Sequence, residues 1–477
     1  MAMRTGDQYS KKLATMRPNV YVGGRKISRD DDILQAPIKT IQYTFDCAAD
    51  PELAPMTTTK SHLNGETINR FTHVHRSIDD LLVKQEMTRV LCRKVGGCIQ
   101  RCMAADALNA CGVVSKEIDD AAGTNYHENF LKYLEYYQKN DIVGNAAQTD
   151  VKGDRSKRPH QQEDLDLYLR VVERKSDGIV VRGAKAHNTI APYADELIVL
   201  PTRNLTKEEG DWAVAFAIPA DTEGVKLVCR VTQPRPRREL KAPYNEYGMA
   251  DSMTIFDNVF VPRERVFMCG EWQLGARLAL LFANYHRHTY CGCKPAVTDI
   301  IMGATALLAE YNGVGNASHI REEVSELMVI AELVYAAGIA ASVKGKTTSS
   351  GIYEPDFLYS NTGRYLAGKN IYHEYDIMAA TAGGLPATLP PEDDFLNPEV
   401  SDLLKKYIMR KPDVTPENVH RLFRFVSDFS CSALGGVNQY AGVHGGGSPI
   451  MEKIGIRANY DLEARKNMVK YLAGITD

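Results

Sequence analysis

The chain has 477 residues, 44% hydrophobic and 25% charged, with a formal net charge of −3. That composition suits a folded globular protein of two or three domains and argues against nucleic acid as the main partner. The first residues lack an apolar secretory core and no apolar stretch is long enough to span a bilayer, so no membrane partner and a cytoplasmic location are expected.

Three zones follow in chain order. Residues 1–147 read as mainly helical after an irregular start. From Ser77 to Ala110 apolar residues recur at helical spacing, and Ser77 before two aspartates predicts a helix start. Gly96 and Gly97 predict a kink or a close approach just before Cys98. Residues 148–272 read as β. LYLRVVERKSDGIVVRGAKA predicts a hairpin about Asp177-Gly178, and ELIVLP, WAVAFAIP, VKLVCRVTQP and MTIFDNVFVP predict further short strands, a spacing that suits a barrel or sandwich. Residues 273–477 return to long amphipathic helices ended by glycines, which predicts an antiparallel bundle. The fold class is α+β, in the order helical, β, helical.

Two clusters carry most of the chemical information. CIQRC holds Cys98 and Cys102; HRHTYCGCK holds His286, Tyr290 and Cys293. On a helix, residues four apart share a face, which predicts that Cys98 and Cys102 do, as do His286, Tyr290 and Cys293. Pro295 predicts an interruption, because it lacks an N–H and disfavours helix at the residue before it. Pro295 is then expected in the first turn of a following helix, with Cys293 and Lys294 in a break. Three thiols and an imidazole suit an iron–sulfur cluster or a structural zinc about equally, and on spacing alone buried thiols stand ahead of both. Cys47, Cys92, Cys111, Cys229, Cys269 and Cys431 stand among apolar neighbours and read as inert buried thiols, with Cys291 left open. No GxGxxG follows a strand, so a Rossmann site is not supported. The basic run QPRPRRELK, Gln233 to Lys241, suits phosphates but reads better as a solvated charge run. His73 and His75 in THVH have metal-like alternation, with a core or surface role preferred.

Together with MTTTKSHLNGETINRFTHVHRSIDDL, GTNYHENF, TDVKGDRS, DGIVVRGAKAHNT, FDNVFVP and HGGGSP, these clusters closely resemble the 4-hydroxybutyryl-CoA dehydratase family almost end to end. That family is related in fold to acyl-CoA dehydrogenases and to flavin-dependent 4-hydroxyphenylacetate 3-monooxygenases. The resemblance implies an acyl-CoA dehydrogenase-like architecture: a helical domain over 1–147, a β-barrel over 148–272 and a helical bundle over 273–477. It implies FAD and a [4Fe–4S] cluster, with Cys98, Cys102, His286 and Cys293 as the cluster ligands. His286, Tyr290, Lys294 and Asp251 become the catalytic candidates. Gln100, Thr149, Asp150, Asp154, His187 and Thr189 match positions around flavin and substrate, as do Gly383 and Gly384, reached from a neighbouring subunit or serving as a helix cap. The implied substrate is an acyl-CoA and the implied assembly a homotetramer.

The implied reaction is radical dehydration of 4-hydroxybutyryl-CoA to crotonyl-CoA, with vinylacetyl-CoA isomerisation alongside. A base takes the α-proton, the flavin takes an electron, and hydroxide leaves with help from iron as Lewis acid. Three departures stand out. Asp251 and Ala441 occupy positions where the family has glutamates, and Gly446 replaces an alanine. Ala441 keeps open a diverged lyase or isomerase that expels another γ-leaving group, such as an amine. A flavin-dependent aromatic monooxygenase and a zinc-binding assembly protein are the readings from other classes.

Overall fold

Strand burial explains how the β region is layered. In the computed structural model, which describes residues 3–475, the strands are β1 (Val20–Val22), β2 (Arg25–Ile27), β3 (Gly144–Ala147), β4 (Arg170–Arg174), β5 (Gly178–Thr189), β6 (Glu196–Val199), β7 (Val214–Pro219), β8 (Val225–Val231), β9 (Ala250–Pro262) and β10 (Val266–Cys269). One sheet runs β2-β1-β8-β9-β5-β4 and a second runs β10-β7-β6-β3. β8 alternates buried and exposed residues, so one face of the larger sheet meets solvent. β6 is buried throughout and β7 in all but its last residue, as strands covered on both sides must be. Leu197, Val199 and Phe216 pack toward the larger sheet with Phe256 and Val259, while Ile198, Ala215 and Ala217 pack against helices on the other side.

Where the sequence predicts a barrel, these ten strands form two open sheets, and two further strand pairs, Thr58–Lys60 with Thr67–Asn69 and Lys346–Thr347 with Tyr353–Glu354, lie apart from them. β1, β2 and β3 come from residues before 148, and β1 pairs in parallel with β8, Val20 opposite Leu227. With three or four residues each, these strands are too short for their period to be read. The hairpin about Asp177-Gly178 is present as the β4–β5 pair, with Arg174 opposite Ile179.

The longer helices are α1 (Gly6–Ala14), α2 (Gln35–Ala49), α3 (Ile78–Val95), α4 (Cys102–Ala122), α5 (Tyr126–Lys139), α6 (Trp272–Tyr311), α7 (Ser318–Val343), α8 (Phe357–Ala382), α9 (Pro416–Cys431), α10 (Ala433–His444), α11 (Pro449–Asn459) and α12 (Leu462–Ala473). Ser77 caps α3, its side chain accepting from the Asp80 N–H at 3.2 Å. Gly96 ends that helix in the left-handed conformation, φ 73°. Cys98 therefore lies in the loop before α4 and does not share a helix with Cys102.

α6 also departs from expectation: it runs unbroken for 40 residues through Pro295. A proline strips the carbonyl four residues earlier of its partner. Here that carbonyl, of Cys291, accepts from Gln85 Nε2 of α3 at 3.1 Å, and the same amide donates to Tyr335 O of α7 at 2.7 Å. The amide reaches both because the helices cross on glycines. A Cβ at Gly292 would stand 2.4 Å from the Gln85 main-chain oxygen, one at Gly338 2.4 Å from Gln85 Nε2, and one at Gly363 2.6 Å from Cys291 Sγ. Cys291 belongs to this crossing, a buried thiol pushed up to about 12 by burial.

α6 and α7 correct the expectation about apolar stretches, since both are long and apolar enough to cross a bilayer. Their most apolar windows are 61% and 39% buried within the protein. α6 is the central helix, packed by α3, α4, α7 and α8. α7 leaves Val329, Leu333 and Val343 more than half exposed, and α12 buries no residue at all. Gly292→Ala is expected to force α3 away from α6 at a destabilisation of about 1–3 kcal/mol. Denaturant melts of parent and variant measure it, and equal midpoints would contradict so close a crossing.

Candidate active site

The loop between α3 and α4 is pinned from below. Arg101, wholly buried, donates to Thr44 Oγ1 at 3.0 Å, pairs with the Asp141 carboxylate and lies over Phe45 at 4.3 Å. Gln100 takes a positive φ of 66°, which turns its N–H toward Cys98 Sγ at 3.3 Å. Its side chain donates to Gly248 O at 3.0 Å and accepts from the Tyr193 hydroxyl. Cys98 and Cys102 are thus brought side by side and hydrogen-bond to each other; that bond holds the Cys98 thiol below its usual value and pushes Cys102 up. Cys102 and Cys293 share one apolar cluster with Cys92, Leu91 and Ile99. Burial, then the neighbouring Cys98, pushes the Cys293 thiol up.

Across from the thiols, His286 stacks on Phe282 (centroids 5.7 Å, 8°) and meets Tyr290 edge-on (5.2 Å, 88°). Its Nδ1 lies 2.9 Å from Asp106 Oδ2. Asp106 stands one turn after Cys102 on α4, fully buried, and also receives Lys84 Nζ at 2.9 Å and Thr289 Oγ1 at 3.0 Å. Burial opposes its ionisation, but Lys84 and then His286 outweigh that and hold the carboxyl below its ordinary value. An ionised carboxylate only accepts, so Nδ1 carries a hydrogen, and in the neutral imidazole the free lone pair falls on Nε2.

Tyr290 donates to Ala441 O at 3.2 Å, and Arg364 lies over its ring at 4.5 Å. Burial pushes its phenol well up. The glycine run after His444 closes on it: a Cβ at Gly445 would fall 1.6 Å from the Tyr290 hydroxyl. Lys294 turns to Glu374 of α8, Nζ to Oε2 2.6 Å, with Thr298 Oγ1 at 3.3 Å.

On the sheet side, β5 turns His187 and Thr189 outward and Asn188 inward. Thr189 is opposite Asp251 on β9 and donates to its Oδ1 at 2.6 Å. Burial raises the Asp251 carboxyl despite that bond, and Cys98 feels its charge. Beneath the strip, Asn145 donates to Thr189 O at 2.7 Å while its own Oδ1 is buried without a partner. A very small crevice, about 10 Å³, is bordered by Gly96, Cys98, Gln100, Gly248 and Asn438.

Other predicted positions are engaged elsewhere. Asp150 pairs with Lys185 at 2.8 Å and accepts from Leu169 N at 2.9 Å, so its carboxylate is occupied inside the fold. The Thr149 carbonyl accepts from Ala186 N at 2.8 Å. Asp154 closes a surface turn on Ser156 N at 2.9 Å. Gly383 caps α8, and both it and Gly384 face open space within the chain. The basic run is largely exposed, as expected, but it is anchored: the Arg237 side chain is buried against Asp428 at 3.0 Å, and Leu240 N donates to Glu392 at 2.7 Å. His73 and His75 are core residues, whereas Cys431 is exposed and Cys229 and Cys269 are half-buried. Sequence reasoning missed Asp106, Lys84, Glu374, Arg364 and Arg287. Only Asp106 carried a signal, its i+4 spacing from Cys102.

Whether these donors suit a metal group turns on their spread. Among the described residues, no three His, Cys, Asp or Glu side chains gather as for a single ion. A zinc needs four donors about 2.0–2.3 Å from one atom. A cubane binds each ligand at a different iron, so three thiols and one imidazole suit its donor chemistry without converging on one point. The open polar strip at His187, Thr189 and Asp251, over an orphaned amide oxygen, fits the hydrogen-bonding edge of a flavin.

Fold and site together define the 4-hydroxyphenylacetate 3-hydroxylase class: its N-terminal model matches residues 5–268 and its C-terminal model residues 276–474. Within that class the chain belongs to the 4-hydroxybutyryl-CoA dehydratase/vinylacetyl-CoA Δ-isomerase family. It is 38% identical to that enzyme from Clostridium aminobutyricum over 99% of this chain and 100% of the relative. A solved structure of an oxygen-tolerant archaeal 4-hydroxybutyryl-CoA dehydratase from N. maritimus superposes with a TM-score of 0.96 at 35% identity, covering 100% of this chain and 96% of that one. The oxygenase component of 4-hydroxyphenylacetate 3-monooxygenase from Geobacillus sp. is 27% identical over 98% of this chain and 96% of the relative. A solved oxygenase component of that kind, complexed with FAD, shares the fold at a TM-score of 0.89 and 24% identity, with 98% of each chain covered.

Asp106→Asn strands the Lys84 ammonium in the core, at an expected destabilisation of about 3–5 kcal/mol near pH 7. Because the Asp106 carboxyl is depressed from 3.8, its stabilisation is complete above that value and is lost as falling pH carries the folded protein through the lower pKa. The gap in urea stability between parent and variant should therefore narrow on acidification toward about pH 3. A gap independent of pH would mean that the charge of Asp106 is not what holds its partners.

Proposed function

We propose that the chain is an acyl-CoA lyase that dehydrates 4-hydroxybutyryl-CoA to crotonyl-CoA, with vinylacetyl-CoA isomerisation as an associated activity. The observation that carries this reading is the set of three thiols beside an imidazole oriented by a buried carboxylate, in a chain 38% identical over its length to such an enzyme. Cys98, Cys102, Cys293 and His286 Nε2 would hold a [4Fe–4S] cluster, and His187, Thr189 and Asp251 would border FAD. When bound, the flavin supplies an electron acceptor and the cluster a Lewis acid for the departing oxygen.

The residues themselves divide the remaining work. Asp106 keeps the proton of His286 on Nδ1, so Nε2 is the atom that takes the substrate's α-proton. That nitrogen has one lone pair, so ligand and base are roles it fills in turn. The Tyr290 bond to Ala441 O is long at 3.2 Å and is the donor to redirect toward a substrate oxygen. Lys294 has two ammonium hydrogens on Glu374 and Thr298 and a third for developing negative charge. Asp251 offers a carboxyl whose raised pKa suits proton exchange at the strip.

One observation favours a second reading, expulsion of a different γ-group such as an amine: Tyr290 faces a main-chain carbonyl at position 441, and Ala441 has no carboxylate to manage a proton. A homo-oligomer, tetrameric by resemblance, belongs to the same reading. α12 buries nothing against its own chain, and Gly383 and Gly384 face open space. Removing residues 462–477 is accordingly expected to lower the assembly mass in light scattering, and an unchanged mass would remove α12 from the interface.

Anaerobically purified protein should contain flavin, iron and acid-labile sulfide, and Cys98→Ala should lose iron while staying folded. Iron unchanged in that variant rejects the ligand set; flavin without iron in the parent favours a monooxygenase. Cluster-replete protein that leaves 4-hydroxybutyryl-CoA untouched under anaerobic assay shifts the choice to the other leaving group.

A further inference from the structure

Glu452 of α11 is fully buried, and neither of its carboxylate oxygens has a hydrogen-bond partner. Arg364 Nε lies 3.7 Å from Glu452 Oε1 with both side chains inaccessible to solvent. Burial raises the Glu452 carboxyl above its ordinary value, and the charges of Arg364 and then Arg287 oppose that rise. At that separation, without a hydrogen bond, the carboxylate is no fork-to-fork partner of Arg364. It acts as a charge shared by both arginines.

Those arginines grip the glycine loop. Arg364 donates from Nε to Gly445 O at 2.8 Å and from Nη2 to Val443 O at 2.9 Å. Arg287 donates from Nε to Gly446 O at 2.8 Å and from Nη1 to Asn361 Oδ1 at 2.6 Å. The loop they hold lies directly on the candidate catalytic residues. A Cβ at Gly446 would stand 3.5 Å from His286 Cδ2, and one at Gly445 would overlap the Tyr290 hydroxyl. Two buried guanidiniums side by side repel each other, and without a compensating anion each is costly to keep out of water.

We propose that Glu452 is the positioning residue of this loop: its buried carboxylate neutralises the Arg287–Arg364 pair and so keeps residues 443–447 seated on Tyr290 and His286. The consequence for turnover rests on the roles proposed above for Tyr290 and His286; the seating of the loop does not.

Hydrogen–deuterium exchange on the full-length, cofactor-loaded protein tests it with Glu452→Gln, Glu452→Asp, Arg287→Met and the pair Glu452→Gln/Arg287→Met. Glu452→Gln should speed exchange of amides 443–447 roughly tenfold or more, leaving α3 and α4 at parental rates. Glu452→Asp, which keeps the charge, should restore slow exchange. The double variant, which removes one charge of each sign, should exchange more slowly than the product of the single effects. Parental exchange in Glu452→Gln, equal acceleration by Asp and Gln, or multiplicative single effects overturns the proposal. Should Glu452→Gln fail to fold, the charge-balanced double variant is expected to fold, and its failure also overturns it. In steady state, Glu452→Gln should lower kcat on the acyl-CoA more than it raises KM. A faster-exchanging loop with both constants unchanged leaves the seating inference intact and rejects the catalytic roles of Tyr290 and His286.

Discussion

Asp106 lies where α3, α4 and α6 meet, and its negative charge has no water to stabilise it. Three donors take that place: Lys84 from α3 and both Thr289 and His286 from α6. A buried carboxylate tolerates little slack in its partners, because each hydrogen bond lost leaves an uncompensated charge. Helix spacing and imidazole orientation are therefore set by one residue. Since Cys102 stands one turn before Asp106 on the same helix, the thiol pair and the imidazole are referred to a common point.

Continuity of α6 provides the second half of the geometry. Positions 286, 290 and 293 share a face only while the helix is unbroken. Pro295 threatens that, and the Gln85 amide repairs it by serving the carbonyl the proline abandons. This repair needs α3 and α7 nearly in backbone contact with α6, which glycines at 292 and 338 permit. Polar chemistry on one side of α6 thus depends on the absence of side chains on the other.

Much of this was legible in the residues. Helical periodicity located α3 and the bundle, Ser77 marked a true cap, and Asp177-Gly178 marked a true hairpin turn. The ligand candidates in CIQRC and HRHTYCGCK were legible as residue types, but their geometry was not. The close approach that Gly96 marks is real, a Cβ there falling 2.4 Å from the Tyr244 ring, but Gly96 also ends the helix, which periodicity alone carries past it. Pro295 was read as a break because its remedy, Gln85, comes from a distant segment that no local window contains. Isolated charges such as Glu374, Arg364 and Glu452 look in sequence like the polar face of an amphipathic helix. Only packing shows them buried and paired. The same holds within the exposed run QPRPRRELK, where the Arg237 side chain turns inward to pair with Asp428.

The loop bearing Cys98, which leads into Cys102 at the start of α4, hangs from the sheets through Gln100, Tyr193 and Gly248, whereas His286 and Cys293 ride on the central helix of the bundle. Any group binding all four is consequently a cross-link that closes a very long stretch of chain. Closing such a loop restricts the unfolded ensemble, and a ligand that binds only the assembled form adds its affinity to the folding equilibrium. The same site that would perform chemistry is then a rivet between two layers. Were such a group bound, losing it would loosen that seam as well as empty the site.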